Sequence, residues 1–410
     1  MRILIHSIYY APELIGVSKY TSEMAEWLSN RGHEVCVVTA PPHYPEWKVH
    51  DKYSSLFYRH ELINGVNVWR CPLWVPSRTS GLKRIIYLAS FAISSFPIML
   101  SRIFWRPNII FVVEPPLFCA PTTLLTAWLC RARSWLHVQD FEVDAAFDLG
   151  ILSSAWMRKT VIKIEQLLMN KFQRVSTISE QMIKQLETKG VSPERQKLFP
   201  NWVNCDVIYP LTSPSSYRKL LDIPVSNITF LYSGNMGDKQ GLEIIIEAAR
   251  LLLSHKNIRF IMCGQGSSYH YLQKISEGLD NVQWLPLQPL DKLNDLLNLA
   301  DVHLLPQKAD VADLVMPSKL TGMLASGRPV LATAFEGTQV AKVLESIGVV
   351  VPPENIGKFV KALLDLAENS KKRNQLGQKS RDYAVNHLGS EAVLLQFEVS
   401  LKDVIDEPDY

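Results

Sequence analysis

The stretch that decides the fold is "NITFLYSGNMGDKQGLEIIIEAARLLLSH", residues 227–255. It begins with an apolar run typical of a strand in a parallel sheet, passes through the turn 234–237, and continues with the spacing of an amphipathic helix. This strand–turn–helix order is the repeating unit of open parallel sheets covered by helices. If the unit repeats along the chain, the fold belongs to the α/β class.

Strand-like runs followed by helical patterns recur on both sides of this stretch. In the N-terminal half the runs are 2–10, 33–40, 65–74, 108–116, 134–140 and 174–179, and after residue 255 they are 258–264, 282–287, 302–307, 329–334 and 347–353. We therefore predict two Rossmann-like domains, 1–203 and 204–385, whose parallel sheets face each other across a cleft. Residues 386–410 are predicted to form a C-terminal helix and tail that pack back on the N-terminal domain.

The composition is that of a globular protein and excludes several classes of function. The chain has 410 residues, too many for one ordinary core, and its formal net charge of +3 is far from the positive field of a nucleic-acid-binding protein. We expect no nucleic-acid partner. Six scattered cysteines without a C-x-x-C pair predict reduced thiols in a cytoplasmic protein, and the first apolar run is too short for a signal peptide.

One segment suggests contact with a membrane. Residues 85–100 are uncharged and mostly apolar, and they lie between Lys83 and Arg84 on one side and Arg102 and Arg106 on the other. A bilayer-spanning helix needs about 20 apolar residues, so a span is disfavoured. Two interpretations stay open: a buried core helix, or a helix over 83–106 that lies in the membrane interface with its basic flanks on anionic headgroups.

Two lysines near predicted helix starts indicate an anion site in the C-terminal half. Lys239 follows the glycine turn quoted above, and Lys319 follows Pro317 and Ser318 in "MPSKLTGMLASGRPV", residues 316–330. Ser318 is expected to cap this helix. A lysine in a first turn opposes the helix dipole by up to about 1 kcal/mol, and a bound phosphate would reverse that preference. Since both helices follow strands of one predicted sheet, the two lysines are expected to converge on one pyrophosphate.

A second glycine turn, Gly264-Gln265-Gly266, follows the next predicted strand. It lacks the third glycine and the downstream acid of a dinucleotide site. We therefore expect a close approach of the backbone to a nucleotide, and no NAD site. Leu287, at the end of the following strand, lies where backbone groups could meet a base edge.

The N-terminal half offers candidates at the carboxyl ends of its strands, where parallel sheets bind ligands. Glu13, Lys19, His43 and Glu114 are candidates to line the cleft, and Gly16 lies in the first strand–helix loop. His137 and Asp140 end another strand and are candidates for holding a sugar hydroxyl or moving a proton. The alternative for His137 is a histidine whose hydrogen bonds are satisfied inside the core.

Missing motifs narrow the chemistry further. The sequence has no Asp-x-Asp to hold a metal–diphosphate, no H-E-x-x-H, no G-x-S-x-G and no P-loop lysine. We expect neither a metal nor a cofactor. The charge of a diphosphate would then be met by lysines and backbone amides.

Taken together, the stretches resemble the GT-B glycosyltransferases, specifically the large retaining family 4. The resemblance covers nearly the whole chain, from "YYAPELIGVSKYT" at 9–21, through "VSTIS" at 175–179 and "FPNWV" at 199–203, to the two lysine-bearing stretches. Within that family, "HVQDFEVDA" at 137–145 and "MPSKLTGMLASG" at 316–327 are similar to the colanic acid biosynthesis fucosyltransferases of enterobacteria.

This resemblance implies transfer of a sugar, with retention, from a nucleotide donor to a polyprenyl-diphosphate-linked saccharide acceptor in bacterial exopolysaccharide synthesis. GDP-fucose is the favoured donor. The N-terminal domain would bind the acceptor and the C-terminal domain the nucleotide sugar, at the cytoplasmic face of the inner membrane. Three alternatives stay open: another UDP- or GDP-sugar transferase for capsule or O-antigen, a GT-B sugar-nucleotide epimerase, and a non-catalytic sugar-nucleotide-binding subunit.

The family motifs carry over only in part. The glycine of the family's first loop corresponds to Gly16, and its strand-end histidine to His137, with Asp140 as the rival. The family's phosphate-binding Arg and Lys fall at Asn235 and Gln240, so Lys239 and Lys319 are the expected substitutes.

The two glutamates that are usual in the family fall at Leu314 and Gly322, and neither residue is acidic. Asp310 or Asp313 would then contact the ribose. The resulting set of expected donor-binding residues is Gly16, Gly234, Asn235, Gly237, Gly264, Gln265, Leu287, Pro317 and Ser318, with His137, Asp140, Lys239 and Lys319 as the catalytic candidates.

Overall fold

The computed structural model describes residues 1–13, 16–44, 46–77, 81–143, 155–309 and 317–407. They form two compact units, one of Met1–Pro200 with Leu394–Tyr410 and the other of Asn201–Val393. Each unit is built on one sheet of mainly parallel strands, so the predicted α/β class with two Rossmann-like domains is confirmed. All six cysteines are free thiols, as expected.

The first unit holds an eight-stranded sheet. Its strands are β1 Arg2–His6, β2 Glu34–Thr39, β3 Arg59–Ile63, β4 Val66–Arg70, β5 Ile109–Glu114, β6 Arg133–Val138, β7 Arg174–Thr177 and β8 Gln196–Leu198. Their order is β3-β4-β2-β1-β5-β6-β7-β8, and every pair is parallel except the β3–β4 hairpin. Its helices are α1 Val17–Asn30, α2 Gly81–Ser101, α3 Ala120–Cys130, α4 Ala155–Met169 and α5 Glu180–Thr188.

The second unit holds a six-stranded, wholly parallel sheet in the order β11-β10-β9-β12-β13-β14. Its strands are β9 Ile228–Asn235, β10 Ile258–Gln265, β11 Val282–Leu285, β12 Val302–Leu305, β13 Val330–Thr333 and β14 Val349–Val351. Its helices are α6 Ser216–Leu220, α7 Glu243–Leu251, α8 Tyr269–Ile275, α9 Leu293–Leu297, α10 Ser318–Ala325, α11 Gln339–Leu344, α12 Ile356–Glu368 and α13 Ser370–Tyr383.

The last helix, α14 Ser390–Asp406, begins in the second unit and ends in the first. The observed units therefore divide at 200/201 and 393/394, whereas the sequence predicted 203/204 and 385/386. The reason is a pair of backbone hydrogen bonds, because Val203 N–H donates to the Leu388 carbonyl at 2.8 Å and Ser390 N–H donates to the Val203 carbonyl at 2.9 Å. These bonds hold both chain segments in the second unit.

The carboxyl half of α14 completes the core of the first unit. The Phe397 ring stacks on Phe199 with centroids 4.1 Å apart, and its edge meets Phe111 and Trp135 at 5.3 and 5.4 Å. Next to it, the buried Glu398 carboxylate accepts hydrogen bonds from Arg31 at 3.1 Å and pairs with His33 at 3.0 Å. The first unit therefore includes the end of the chain.

The apolar segment 85–100 lies in helix α2, and the structure contradicts the interpretation of this segment as a buried core helix. Tyr87, Leu88 and Phe91 pack into the core, but Leu82 and Ile93 are exposed. Only 28% of its most apolar 18-residue window is buried, so α2 is not a buried core helix. By length and composition it is the one helix among the described residues that could cross a membrane.

The glycine turn after β10 has a structural cause that the sequence did not reveal. A Cβ on Gly264 would lie 1.9 Å from the Gly234 carbonyl oxygen, and one on Gly266 would lie 2.4 Å from the Met236 oxygen. Both glycines also have positive φ. The glycines therefore let the β9 and β10 backbones meet, and the approach of this turn to a nucleotide stays a prediction.

We predict that Gly264→Ala lowers the free energy of unfolding by at least about 3 kcal/mol, since the new methyl group displaces the β9 backbone. Gly278→Ala is the matched control. Gly278 also has a positive φ, yet nothing lies within 4 Å of its Cβ position, so this change should cost about 1 kcal/mol. Calorimetric melting of both variants checks the difference, and equal losses would contradict the steric explanation.

Candidate functional site

Lys319 lies directly beside the glycine turn at the carboxyl end of β9. Its Nζ donates to Tyr232 Oη at 3.1 Å and sits 4.3 Å from the centre of that ring. A Cβ on Gly234 would be 3.4 Å from Lys319 Cδ and 3.8 Å from Nζ. The second unit therefore brings a cation and an open stretch of main chain together, as the two sequence signals suggested.

The charge of Lys319 has no acidic partner among the residues that the structure describes. Burial lowers its pKa to about 8, because the ammonium loses water without gaining a carboxylate. Tyr232 is fully buried, and its hydroxyl donates a hydrogen bond to the Asn235 carbonyl. An anion at this position would restore the ordinary pKa of the lysine and supply the missing counter-charge.

The start of α10 differs from the prediction. Ser318 is the first helical residue, Pro317 precedes it in extended geometry, and no side chain caps the helix. A side chain caps a helix from the residue just before its first turn, and Ser318 already lies one position inside the helix. Ser318 is exposed, so its hydroxyl stays accessible at the helix start.

Lys239 is placed differently from Lys319. It is exposed on a short 3₁₀ helix, Asp238–Gln240, and no hydrogen bond or ion pair to another described residue holds its side chain. Only its backbone is engaged, since the Lys239 carbonyl accepts from Lys308 N–H at 3.2 Å. Of the two predicted cations, Lys319 is the one that the fold fixes in position.

Gln240 lies where the family has a phosphate-binding lysine, and its side chain closes the glycine turn. Its Oε1 accepts the Gly237 N–H at 2.9 Å and closes the turn on itself. The Gly237 amide, predicted to hold phosphate, is therefore already used. Asn235 and Gln265 are exposed at the ends of paired strands, and Leu287 is exposed just beyond β11.

The family's glutamate positions give no acid here. A Cβ on Gly322, within α10, would lie 3.3 Å from Leu297 Cδ1, so the position faces apolar packing. Leu314, Asp310 and Asp313 lie outside the described residues.

In the first unit, Gly16 borders a cavity of about 370 Å³ at the carboxyl ends of the strands. Gly16 begins α1 with a φ of +61°, and nothing lies within 4 Å of its Cβ position, so the backbone there is open. Aromatic side chains form much of the wall: Tyr9, Tyr44, Trp47 and Tyr87, with Val17, Arg84, Leu88 and Pro115 completing it. The expected open glycine loop is thus joined to an aromatic surface.

Glu13 and His43 support this cavity from behind. The Glu13 carboxylate is buried and accepts the backbone N–H groups of His43 and, at 2.6 Å, Tyr44. His43 donates from Nδ1 to the Pro41 carbonyl at 2.8 Å and accepts from Tyr87 Oη at 2.6 Å, and burial lowers its pKa to about 4. Both are placed to shape the loop, Glu13 through Oε1 and His43 through both ring nitrogens.

His137 is a core residue, which was the alternative interpretation. Gln139 Nε2 donates to its Nε2 at 2.9 Å, its Nδ1 bonds to Ser176 Oγ at 2.8 Å, and its ring stacks on Phe111. Burial lowers its pKa to about 3, so the ring is neutral and both nitrogens are engaged. Both ring nitrogens of His137 are thus occupied by neighbouring side chains, whereas Asp140 is exposed just beyond β6.

Glu114 and Lys19 complete the predicted set. Glu114 is fully buried, and neither carboxylate oxygen has a hydrogen-bond partner among the described residues. Burial, reinforced by Glu142 and Glu165, raises its pKa well above the usual value, which favours the neutral acid. Lys19 is half-buried on α1 over the Tyr20 ring, at 5.3 Å.

Sequence reasoning missed Tyr232, Arg84 and Tyr87 as members of these sites. Tyr232 follows Leu231 in the strand that was quoted first, but nothing in a single tyrosine indicates that it supports a lysine 87 positions later. Arg84 was noted only as a basic flank of an apolar segment. Its presence in the aromatic cavity depends on which face of α2 turns inwards.

Comparison with known proteins agrees with this arrangement. Residues 16–202 match the family model of the glycosyl transferase 4-like domain, and residues 215–383 match that of the glycosyl transferases group 1. The chain is 42% identical over 407 residues to WcaI of Escherichia coli strain K12, which is named as a colanic acid biosynthesis glycosyl transferase. The match covers 97% of this chain and 98% of WcaI.

Solved structures share the fold at much lower identity. Sucrose-phosphate synthase of Thermosynechococcus elongatus superposes with a TM-score of 0.73 at 17% identity, covering 98% of both chains. Anabaena HepE, solved with UDP and glucose, superposes at 0.67 with 14% identity, covering 98% of this chain and all of HepE. The chain therefore belongs to the family 4 glycosyltransferases, and its two parallel-sheet domains are those of the GT-B fold.

Proposed function

We propose that this glycosyltransferase moves a sugar, with fucose from GDP-fucose favoured, from a nucleotide donor onto a lipid-diphosphate-linked saccharide, with retention and without a metal ion. The observation that carries the proposal is the half-buried Lys319 ammonium beside the Gly234 main chain. The 42% identity to WcaI supports a role in the synthesis of a colanic-acid-like exopolysaccharide. The HepE complexes with UDP support a nucleotide donor.

The chemistry requires that negative charge be stabilised as the nucleoside diphosphate leaves. A fixed cation aimed at the departing phosphate supplies a few kcal/mol of such stabilisation, more than an exposed and mobile one. Lys319 is fixed by Tyr232, whereas Lys239 is exposed, so Lys319 carries the larger share. The departing phosphate itself takes the proton of the acceptor hydroxyl, and no protein nucleophile is needed.

We expect Lys319→Ala to lower kcat/KM by about a hundredfold while the fold survives, because the half-buried cation is lost from the leaving group. Lys239→Ala should lose about tenfold or less, since that side chain is exposed. Lys342→Ala, an exposed lysine on α11, is the control and should match the parent protein. Steady-state transfer with radiolabelled GDP-fucose and a membrane extract measures all three.

The pH dependence of GDP affinity and the effect of EDTA on turnover test the same mechanism. The affinity for GDP should fall as the pH rises through about 8, since Lys319 loses its proton there, and this fall should be absent from Lys319→Ala. Turnover of the parent protein should persist in EDTA. Loss of turnover in EDTA, or full activity of Lys319→Ala, would contradict the mechanism.

The lipid-linked acceptor makes membrane contact part of the proposal. Helix α2 and the turn after it expose Ile93, Phe96 and Phe104 next to the basic Lys83 and Arg106. Apolar side chains flanked by basic ones are suited to the headgroup region of an anionic bilayer. We therefore assign the protein to the cytoplasmic face of the inner membrane as a peripheral enzyme.

Vesicle flotation tests this assignment. The purified chain should float with vesicles containing phosphatidylglycerol, and Ile93→Asp with Phe104→Asp should reduce the bound fraction about tenfold, because each change places a charge where the acyl region begins. Val225→Asp, an equally exposed apolar site in the second unit, is the control. A parent protein that stays in the soluble fraction would contradict surface binding.

A further inference from the structure

The first unit contains a second cavity, of about 330 Å³, whose wall is almost wholly carbon. Three helices and their connections line it, through Ile85 and Leu88 of α2, Phe118 just before α3, and Val161 and Leu168 of α4. A cavity with such a wall holds water poorly and favours an apolar occupant.

The two carboxylates in this wall are already engaged. Glu142 Oε2 accepts from Leu117 N–H at 2.9 Å, and Glu165 Oε2 accepts from Lys189 Nζ at 2.7 Å. Burial raises the pKa of Glu142 as well. Each acid is therefore tied through one oxygen to a donor of the protein itself, and the wall of the cavity stays almost wholly carbon.

The apolar cavity adjoins the aromatic one described above. Arg84 and Leu88 belong to the walls of both. Within the described part of the chain, no hydrogen bond or salt bridge occupies the Arg84 guanidinium. A permanent cation thus stands where a carbon-lined space meets a space lined by Tyr9, Trp47 and Tyr87.

The apolar cavity also reaches the exposed apolar surface of the same helices. Phe118 and Ile164, which line it, are 46% and 53% exposed. On the same three elements Ile86, Trp128 and Leu167 are exposed as well. A lipid chain leaving the surface formed by these helices would therefore enter the cavity without crossing a polar region.

From this arrangement we propose that the apolar cavity binds the first isoprenoid units of a lipid acceptor, with its diphosphate at Arg84 and its first sugar in the aromatic cavity. The inference rests on the proposed function, since it places the acceptor of that reaction. Each part of the ligand meets the matching chemistry: the guanidinium binds phosphate oxygens in a fork, and tyrosine and tryptophan rings combine apolar faces with polar tips. A single cavity suits one isoprenoid chain, whereas a phospholipid presents two.

Calorimetric titration of the purified full chain with farnesyl diphosphate tests the proposal. Inorganic diphosphate and farnesol serve as the separate halves of the probe. The parent protein should bind farnesyl diphosphate at least tenfold more tightly than either half. Val161→Trp and Leu168→Trp, which fill the cavity, should each weaken farnesyl diphosphate about tenfold and leave inorganic diphosphate unchanged, whereas Arg84→Gln should weaken both.

Val225→Trp provides the matched control, since Val225 is exposed in the second unit. Circular dichroism and a thermal melt show that each variant is folded. Unaltered farnesyl diphosphate affinity in both filled-cavity variants would overturn the proposal, and so would equal competition by dioctanoyl phosphatidylglycerol, which would assign the cavity to acyl chains. GDP affinity is measured separately, and its loss in the parent protein would count against the proposed donor chemistry and not against the cavity.

Discussion

The close passage of two main chains, at Gly234 in β9 and Gly264 in β10, is the constraint on which the second unit depends. The Gly264 Cα has no room for a side chain because the Gly234 carbonyl occupies that space. The contact fixes where β9 ends, and the end of β9 fixes the turn beside which Lys319 lies. A site that binds a diphosphate through main chain needs such a rigid edge, since amides on a mobile loop would lose entropy on each binding event.

The two units solve the problem of holding charge in different ways. In the second, the Lys319 ammonium is half-buried against one phenol and has no carboxylate partner among the described residues, and burial lowers its pKa. In the first, Glu114 is buried without a hydrogen-bond partner among the described residues, and it is driven towards its neutral form. A polyanionic leaving group suits the former environment, while a neutral sugar hydroxyl is compatible with the latter.

Sequence patterns predicted the parallel strands well, because buried strands are continuous apolar runs that few other elements imitate. They failed for elements that are held by something other than a buried apolar face. Strand β3 is exposed and polar, and only the Asn64-Gly65 hairpin turn, with positive φ at both residues, signals it. Helix α13 has little apolar periodicity. It is held by Arg381, which donates to the carbonyls of Ile208, Ala325 and Cys205.

The site residues show the same division. Lys319 and the Gly234 turn could be found because lysine is unfavourable at a helix start and glycine marks an open backbone. The role of His137 could not be decided from the sequence. A histidine at a strand end has the same sequence pattern whether its ring nitrogens bond to Ser176 and Gln139 or to a substrate. The Ser318 cap failed for a local reason, because Pro317 already occupies the position just before the helix.

The last helix has a consequence for how the protein is made. The aromatic cluster around Phe111 and Trp135 lacks Phe397 until the whole second unit has been synthesised, although the strands that carry Phe111 and Trp135 emerge from the ribosome much earlier. The N-terminal domain must therefore wait, with part of its core open, while the whole C-terminal domain is translated. A chaperone that covers the exposed core would favour the folded enzyme. A nascent chain stalled before residue 394 would keep that core exposed and favour aggregation.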